Sequence, residues 1–235
     1  RGLEWTNKKS IIIGLSETIV YSGENRGFDF VNINPIGSHL EAELNNKTNS
    51  FGTGGSNAVW QAHLDLLIKK KIRLSLNYLF DEFVIDPDIE VGKQHSKGFS
   101  LRAAYTPINK RNNMITYYNS YTSIGIPPFK HVNGNNNFTT NGRPLGWAHG
   151  SDCTELKFGI NYLIKKSFLI SMATGFISDG EKNILRMPYS QYAVSDYQMQ
   201  SFPSGLSKKD NFVDLNFKAW IKPDIIFYSS IYKKV

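Results

Sequence analysis

Apolar and polar side chains alternate along several segments of this chain. In segments 72–81 and 155–162 the even positions are apolar and most odd positions are polar, and 213–219 alternates in the same way with its odd positions apolar. A period of two is the period of a β-strand, whose successive side chains point to opposite faces. The charged residues of each segment fall on one face, in mid-strand. The pattern therefore predicts amphipathic strands rather than helices.

The alternation predicts nine strands, joined by connections that are alternately long and short. The strands are 9–21, 57–68, 72–85, 98–107, 114–125, 153–164, 167–178, 211–221 and 224–233. The short connections are 69–71, 108–113, 165–167 and 222–224, and the long ones are 22–56, 86–97, 126–152 and 179–210. Alternation within the strands also fits a soluble sandwich. Short periplasmic turns opposite long extracellular loops are typical of transmembrane barrels, so the connections favour a membrane protein.

We therefore predict an all-β fold, an antiparallel up-and-down transmembrane β-barrel of about 9–10 strands, as one domain over 1–235. The mean hydropathy of -0.33 suits a barrel with polar loops and lumen. An odd count of nine leaves one edge unpaired, and in lipid each unsatisfied backbone group costs several kcal/mol. If 5–9 is a periplasmic turn, Val235 falls on the extracellular side. We therefore expect further strands before Arg1, after Val235, or both.

Two segments resemble the capsule assembly protein Wzi family. Segment 78–86 (YLFDEFVID) resembles the end of a strand and its acidic loop, and 143–152 (RPLGWAHGSD) resembles a loop motif of the family. Asn34-Pro35 and 202–205 are compatible with it, so the resemblance covers most of 3–232. It implies an outer-membrane barrel of about 18 strands with helical periplasmic elements. This chain would be about its C-terminal half, and the protein would act as a surface lectin that helps to anchor polysaccharide.

The long loops 126–152 and 179–210 combine aromatic, cationic and amide side chains. Aromatic rings stack on the apolar faces of sugars, while Arg, Asn and Asp make directional hydrogen bonds to hydroxyls. The residues that we expect to contact glycan are Arg143, Trp147, Arg186, Tyr189, Tyr192 and Tyr197, to which the family resemblance adds His149 and Asp152. Tyr and Trp also form the interfacial girdle of any barrel, and Asn and Gly are common in turns.

Charged side chains on the polar face of the strands are candidates for the lumen lining. They are His63, Asp65, Arg73, Arg102, Lys157, Asp214 and Lys218, together with Glu155. Opposite charges on neighbouring strands can pair across the interior, or the basic excess can steer anions through a pore. Glu17 shares the parity of Ile13 and Leu15, which places a carboxylate on the lipid face. We therefore expect a bulge or a position near the membrane rim there.

Other functional classes find little support. The net charge of +7 comes with lysines at turn tips, such as 69–71 and 165–166, rather than on a face interleaved with aromatics, so we predict no nucleic-acid partner. Such turns can instead contact anionic lipid headgroups. The five histidines lack metal-ligand spacing, and Cys153 is the single cysteine. His63-x-Asp65 is similar to the Asp/His pairs of outer-membrane proteases, but same-face pairs are common by chance. We predict no enzyme, no metal and no cofactor.

Three functions are compatible with this sequence. The leading one is a bacterial outer-membrane barrel that binds or anchors surface polysaccharide, in capsule or exopolysaccharide assembly, through its long loops. The alternatives are a substrate-specific channel and a non-catalytic barrel subunit of a larger envelope complex. The expected partners are outer-membrane lipid, surface polysaccharide and, in the last case, other envelope proteins.

Overall fold

Ten strands form one antiparallel sheet in which sequence neighbours are also sheet neighbours. The computed structural model describes residues 1–22, 27, 30–39, 55–82, 92, 94–191, 198, 200–222 and 224–234. The sheet contains β1 (Gly2–Thr6), β2 (Ile11–Tyr21), β3 (Ser56–Ile68), β4 (Ile72–Glu82), β5 (Ser96–Lys110), β6 (Asn113–Ile124), β9 (Cys153–Ile164), β10 (Phe168–Asp179), β11 (Lys208–Lys222) and β12 (Ile225–Lys234). Outside the sheet lie a one-turn helix, α1 (Phe30–Ile33), a 3-10 turn (Gly134–Asn136) and a small hairpin of β7 (Thr139–Thr140) and β8 (Arg143–Pro144).

All nine predicted strands are present, and β1 is an additional tenth strand that the alternation missed. Segment 5–9 was predicted to be a turn, but the chain is extended to Thr6 and pairs with β2, with Gly2 opposite Ser16. The turn lies at 7–10, where Asn7 Oδ1 accepts hydrogen bonds from three following backbone N–H groups. The sheet formed by the described residues therefore has ten strands, within the expected 9–10, and the argument from an odd number of strands does not hold. Across the described residues the sheet is open, with β1 and β12 at its edges.

The connection between β5 and β6 is also shorter than predicted. We expected a turn over 108–113, whereas the strands continue to Lys110 and resume at Asn113. The pairing register shifts between Tyr105 and Ile108. This irregularity accommodates Pro107, which has no N–H to donate to the neighbouring strand.

The register divides the sheet into two chemically distinct faces. Leu64, Leu76 and Leu101 lie opposite one another on three successive strands, and this row continues through Tyr121, Leu156 and Phe176. The adjacent row runs through Asp65, Ser75, Arg102, Ser120 and Lys157. We call the sheet surfaces that carry these rows the apolar face and the polar face. Leu15 is 61% exposed and Phe176 is 59% exposed on the apolar face. A contiguous apolar surface spanning several strands is unusual on a soluble monomer and marks an interaction surface.

The buried core lies at the long-loop end, between the polar face and two loops. We call the described parts of these loops, 125–152, 180–191 and 200–207, the cap. One cluster joins sheet residues to cap residues and consists of Val59, Ile124, Phe129, Phe138 and Ile184; a second consists of Cys153, Ile177 and Phe212. Trp147 packs against both clusters. The cap therefore folds onto the polar face instead of extending away from the sheet. In the described parts of the chain, no helix has the length and hydropathy to cross a membrane.

Two hairpin turns at the opposite end place pairs of lysines in the left-handed backbone region. Lys69 and Lys70 have φ of 48° and 56°, and Lys165 and Lys166 have φ of 49° and 59°. In each turn the fourth residue donates its N–H to the carbonyl of the first, at 3.1 and 3.0 Å. Positive φ at both central positions is the signature of a type I′ turn, for which Asn-Gly is favoured. A residue with a Cβ is disfavoured in this region by about 1–2 kcal/mol.

The double substitution Lys69→Asn/Lys70→Gly is expected to stabilise the protein by about 1 kcal/mol, because it relieves this left-handed strain. The measurement is the urea midpoint of unfolding in detergent micelles. The matched control is Arg111→Asn/Asn112→Gly, in a turn whose two residues do not have positive φ. That change adds a flexible glycine without relieving strain and should lower the midpoint. Destabilisation by the first variant would contradict the turn geometry.

Candidate functional site

A buried asparagine ties the cap to the neighbouring long loop. Asn136 ends the 3-10 turn and is completely buried. Its Oδ1 accepts a hydrogen bond from Ser22 N–H at 2.7 Å, and its Nδ2 donates to Gly55 O at 2.7 Å. Ser22 and Gly55 follow β2 and precede β3, so one side chain satisfies backbone groups at both ends of that loop. Each such buried bond matters because an unpaired buried polar group costs about 1–3 kcal/mol.

The next residue joins the two halves of the cap. Asn137 Oδ1 accepts from His131 N–H at 2.7 Å, while its Nδ2 donates to Pro188 O and Ser190 O at 3.1 and 3.0 Å. Sequence reasoning treated these asparagines as ordinary turn residues. The run of three at 135–137 was the available signal, but a run does not reveal partners far away in the chain.

Asp152 is a second buried junction. Its Oδ1 accepts from Ser204 N–H at 2.8 Å, and its Oδ2 accepts from Lys182 N–H at 3.0 Å and from the Ser204 hydroxyl. The backbone N–H of Asp152 donates to Gly125 O, and its backbone carbonyl accepts from Gly180 N–H. Gly180 is required there, because a Cβ at that position would collide with the carboxylate. Asp152 therefore holds 180–182 and 204 against the start of β9, and its predicted role as a direct glycan contact does not fit its complete burial.

Asn183 continues this network towards the sheet. Its Nδ2 donates to His149 O at 2.9 Å and to the Asp179 carboxylate, and its Oδ1 accepts from Leu185 N–H at 2.9 Å. Asp179 also accepts from Arg186 Nη2 at 3.1 Å. The end of β10 is thereby fixed to both loops of the cap.

A cavity of about 360 Å³ lies between the cap and the polar face. The rings of Trp147, Phe129 and Phe138 form its cap side. Its sheet side carries amides and hydroxyls from Gln61, Asn77, Ser100 and Thr122, beside the apolar side chains of Val59, Leu79 and Ile124. Gln61 Nε2 donates to Asn77 Oδ1 at 2.9 Å, and the Ser100 and Thr122 hydroxyls are 3.0 Å apart. None of the lining residues in the described chain carries a charge. Such a site can stack an apolar ring face and bind neutral hydroxyls at the same time.

Three predicted glycan contacts lie on the outer surface of the cap. Arg143, Arg186 and Tyr189 are exposed. Tyr189, which is 53% exposed, accepts a hydrogen bond from Gly142 N–H through its hydroxyl at 3.0 Å, which fixes it beside the turn before Arg143. An arginine next to a fixed aromatic ring can donate hydrogen bonds to hydroxyls while the ring stacks on an apolar face.

The other predicted glycan contacts lie elsewhere. Trp147 lines the cavity, and its ring packs edge-on against His149 with 5.1 Å between ring centroids. His149 Nε2 is 3.3 Å from Glu155 Oε2 on the polar face, so it contacts the sheet rather than solvent above the cap. Tyr192 and Tyr197 lie outside the described residues.

The predicted lumen residues all share the polar face, where most have charged or aromatic neighbours. Asp65 accepts two hydrogen bonds from Arg73, at 2.6 and 3.1 Å, and Lys157 Nζ is 3.6 Å from Asp214 Oδ2. Arg102 lies over the Tyr118 ring, and Lys218 over the Trp220 ring, at 4.2 and 5.3 Å from the centroids. His63 is 3.4 Å from Glu4 and does not share a hydrogen bond with Asp65, which accepts from Arg73 and Ser75. His63 and Asp65, whose spacing is similar to that of a protease pair, therefore have separate partners in the structure.

Glu17 lies on the apolar face but is only 7% exposed. Its carboxylate accepts from the Arg1 guanidinium and, at 2.8 Å, from His39 N–H. Of the two expected explanations, the bulge is absent from this part of the sheet, because the β2–β3 register runs unbroken through Glu17 and Trp60, whereas a position near the membrane rim stays a prediction. A neighbouring cation and backbone donor, rather than a bend in the strand, stabilise the carboxylate.

Replacing Asp152 with Asn is expected to loosen the cap while the sheet stays intact. Asn tolerates the left-handed φ of 53° at this position, but its NH₂ group cannot accept a hydrogen bond from Ser204 or Lys182. Local opening should become easier by about 2–3 kcal/mol. Hydrogen exchange of the Lys182 and Ser204 amides measures this. Glu181→Gln, which removes an exposed carboxylate in the same loop, is the control, and equal protection in both variants would contradict the assigned role.

Comparison with known proteins gives a match at the level of structure. No protein-family model matches the chain, and no curated protein matches it. Among solved structures it is similar to Wzi, described as an outer membrane protein involved in group 1 capsule assembly in Escherichia coli and as a carbohydrate-binding β-barrel. The TM-score is 0.64 at 10% identity, over 100% of this chain and 46% of that one, so the chain spans less than half of that protein. At this identity the match concerns the fold, and it confirms the predicted β-barrel class.

Proposed function

We propose that this chain is part of an outer-membrane β-barrel that binds surface polysaccharide at its long-loop end. The observation that carries the sugar-binding part is the cavity beneath the cap, with aromatic rings on one side and uncharged amides and hydroxyls on the other. A pyranose ring presents the complementary surfaces, an apolar face of C–H groups and a rim of hydroxyls. The volume of about 360 Å³ is at the small end of ligand pockets and suits one or two sugar units.

The membrane location rests on the two faces of the sheet. The exposed apolar face spans several strands, and its long hydrophobic side chains suit contact with acyl chains. The polar face carries charged side chains, several of them paired, which would be costly in lipid and suit a lumen. The described short turns lie at one end of the sheet and the cap at the other, as in barrels with extracellular loops. The structural similarity to Wzi supports the same arrangement.

Sugar contact would extend from the cavity to the outer surface. Trp147 lines the cavity, and Arg143 and Tyr189 are exposed on the same cap. A polysaccharide is a repeating chain, so one unit can occupy the cavity while neighbouring units meet the exposed group. Such distributed contact raises affinity without requiring any single strong interaction.

The cap argues against an open channel as the main function. It folds onto the polar face at the long-loop end and fills that region with the buried side chains of two clusters. The pairing of Arg73 with Asp65 also removes charge that could steer anions. A pore-forming protein would give stepwise conductance in planar bilayers, and we expect little from this one.

Arginine at a central position of the apolar face should impair membrane insertion. Phe158→Arg places a cation where acyl chains are expected, at a cost of about 2–4 kcal/mol at the bilayer midplane. Ser171→Arg, on the polar face of the neighbouring strand, is the matched control and should insert normally. The measurement, on the full-length protein, is the yield in the outer membrane of the form that migrates faster before heating. Equal yields for the two variants would contradict the membrane assignment.

The sugar site is tested by replacing the polar side of the cavity. Gln61→Leu/Asn77→Leu keeps side-chain volume but removes the amides, so affinity for surface polysaccharide from the source bacterium should fall by about tenfold or more. Asn161→Leu/Asn216→Leu, also on the polar face but away from the cavity, is the control. Arg143→Ala should weaken retention on a polysaccharide column, and Arg111→Ala in a short turn should not. Binding unaffected by the cavity variant in a folded protein would rule out this site.

A further inference from the structure

Cationic side chains occupy every short turn of the sheet. The turns are 7–10, 69–71, 110–112, 165–167 and 222–224, and each contains at least one Lys or Arg. Asp224 is the single acidic residue among them. Because the strands run up and down in order, the five turns lie at the same end of the sheet. We call their Lys and Arg side chains the turn collar.

The turn collar differs electrostatically from cations elsewhere in the chain. At the cap end, Lys208 and Lys234 both approach Asp210, at 3.1 and 3.3 Å. On the polar face, Lys157 faces Asp214. Lys69 and Lys165, by contrast, are exposed, and in the described part of the chain the collar side chains form no ion pair. Their charge is therefore available to a partner.

The backbone of two turns indicates that this charge has a function beyond making the turn. Lys69, Lys70, Lys165 and Lys166 all have positive φ, where Asn and Gly are favoured. Lysine is thus a poor choice for the turn itself, and it occurs at both central positions of both turns. An unfavourable backbone conformation retained in this way is grounds for a functional hypothesis.

The turn collar borders the apolar face at a level marked by aromatic residues. Trp5 lies two positions before turn 7–10, and Tyr162 lies three positions before Lys165. Tyr105 pairs with Ile72, the first residue after turn 69–71. All three belong to the apolar face, and Trp and Tyr there are typical of the membrane–water interface. The collar is therefore at the level of the headgroups of the leaflet on the short-turn side.

We propose that the turn collar binds the phosphate groups of anionic phospholipids in that leaflet. This rests on the membrane location in the proposed function, but not on sugar binding. Lysine ammonium groups are compact, strongly hydrated charges that attract phosphodiesters without fixed geometry, as a fluid lipid layer requires. The turn collar thereby gives the protein a preference for anionic lipids at its short-turn end.

The experiment measures lipid selectivity of the full-length protein in nanodiscs of equimolar phosphatidylglycerol and phosphatidylcholine. After partial delipidation, mass spectrometry gives the ratio of the two lipids that remain bound. We expect phosphatidylglycerol to be enriched in the wild type and enrichment to decrease with salt. We test two hairpin variants, Lys69→Asn/Lys70→Gly and Lys165→Asn/Lys166→Gly. In each, the enrichment of phosphatidylglycerol should decrease by about fivefold for each lysine that faces the headgroups. Because both variants suit a type I′ turn better, loss of folding cannot explain the reduction.

Arg102→Gln/Lys218→Gln is the matched control. It removes two positive charges from the polar face, away from lipid, and should leave the lipid ratio unchanged. Equal enrichment in the wild type and in both hairpin variants would overturn the proposal, and would instead favour an acidic protein as the partner of the collar. Failure of the protein to enter nanodiscs at all would overturn the membrane location itself. Polysaccharide binding, measured on the same samples, should be the same for the hairpin variants and the wild type.

Discussion

The strand register is the constraint on which the rest of this structure depends. Because side chains alternate with a period of two, a slip of one residue would move every charge of a strand onto the apolar face. The rows that contain Leu76 and Arg102 stay separate across five strands only because each pairing is in phase with the next. Around Pro107 the β5–β6 register shifts by one residue, and beyond the shift the apolar residues Ile108 and Ile115 still lie opposite each other. Both the apolar face and the cavity beneath the cap require this phase.

The cap shows a different principle, in which buried polar side chains replace secondary structure. Loop backbone that is folded against a sheet must satisfy its N–H and C=O groups without a regular ladder. Asn136, Asn137 and Asp152 do this by bonding backbone groups of distant segments. Aromatic side chains such as Phe129 fill the remaining space and leave a cavity of defined polarity. The site is therefore specified by contacts that are long-range in sequence.

This distinction explains what the sequence could predict. Local alternation was sufficient for nine strands, for the polar face with Asp65 and Lys157, and for the short turns at 69–71 and 165–167. It failed for β1, because five residues give too few repeats to establish a period. Local alternation could not reveal the cavity, because Gln61 and Trp147 are 86 positions apart in the sequence (147 − 61) and meet only through folding. The pairing of Glu17 with Arg1 also lies outside any local pattern.

The adjacent positions of Asn136 and Asn137 have a consequence for how the long-loop end of the sheet can open. One holds the ends of the loop between β2 and β3, and the other holds the two halves of the cap together. A single peptide bond separates these two attachments, so neither can be released without disturbing the other. The described ends of the β2–β3 connection and the two halves of the cap are therefore expected to open together, with one free energy, rather than as independent segments.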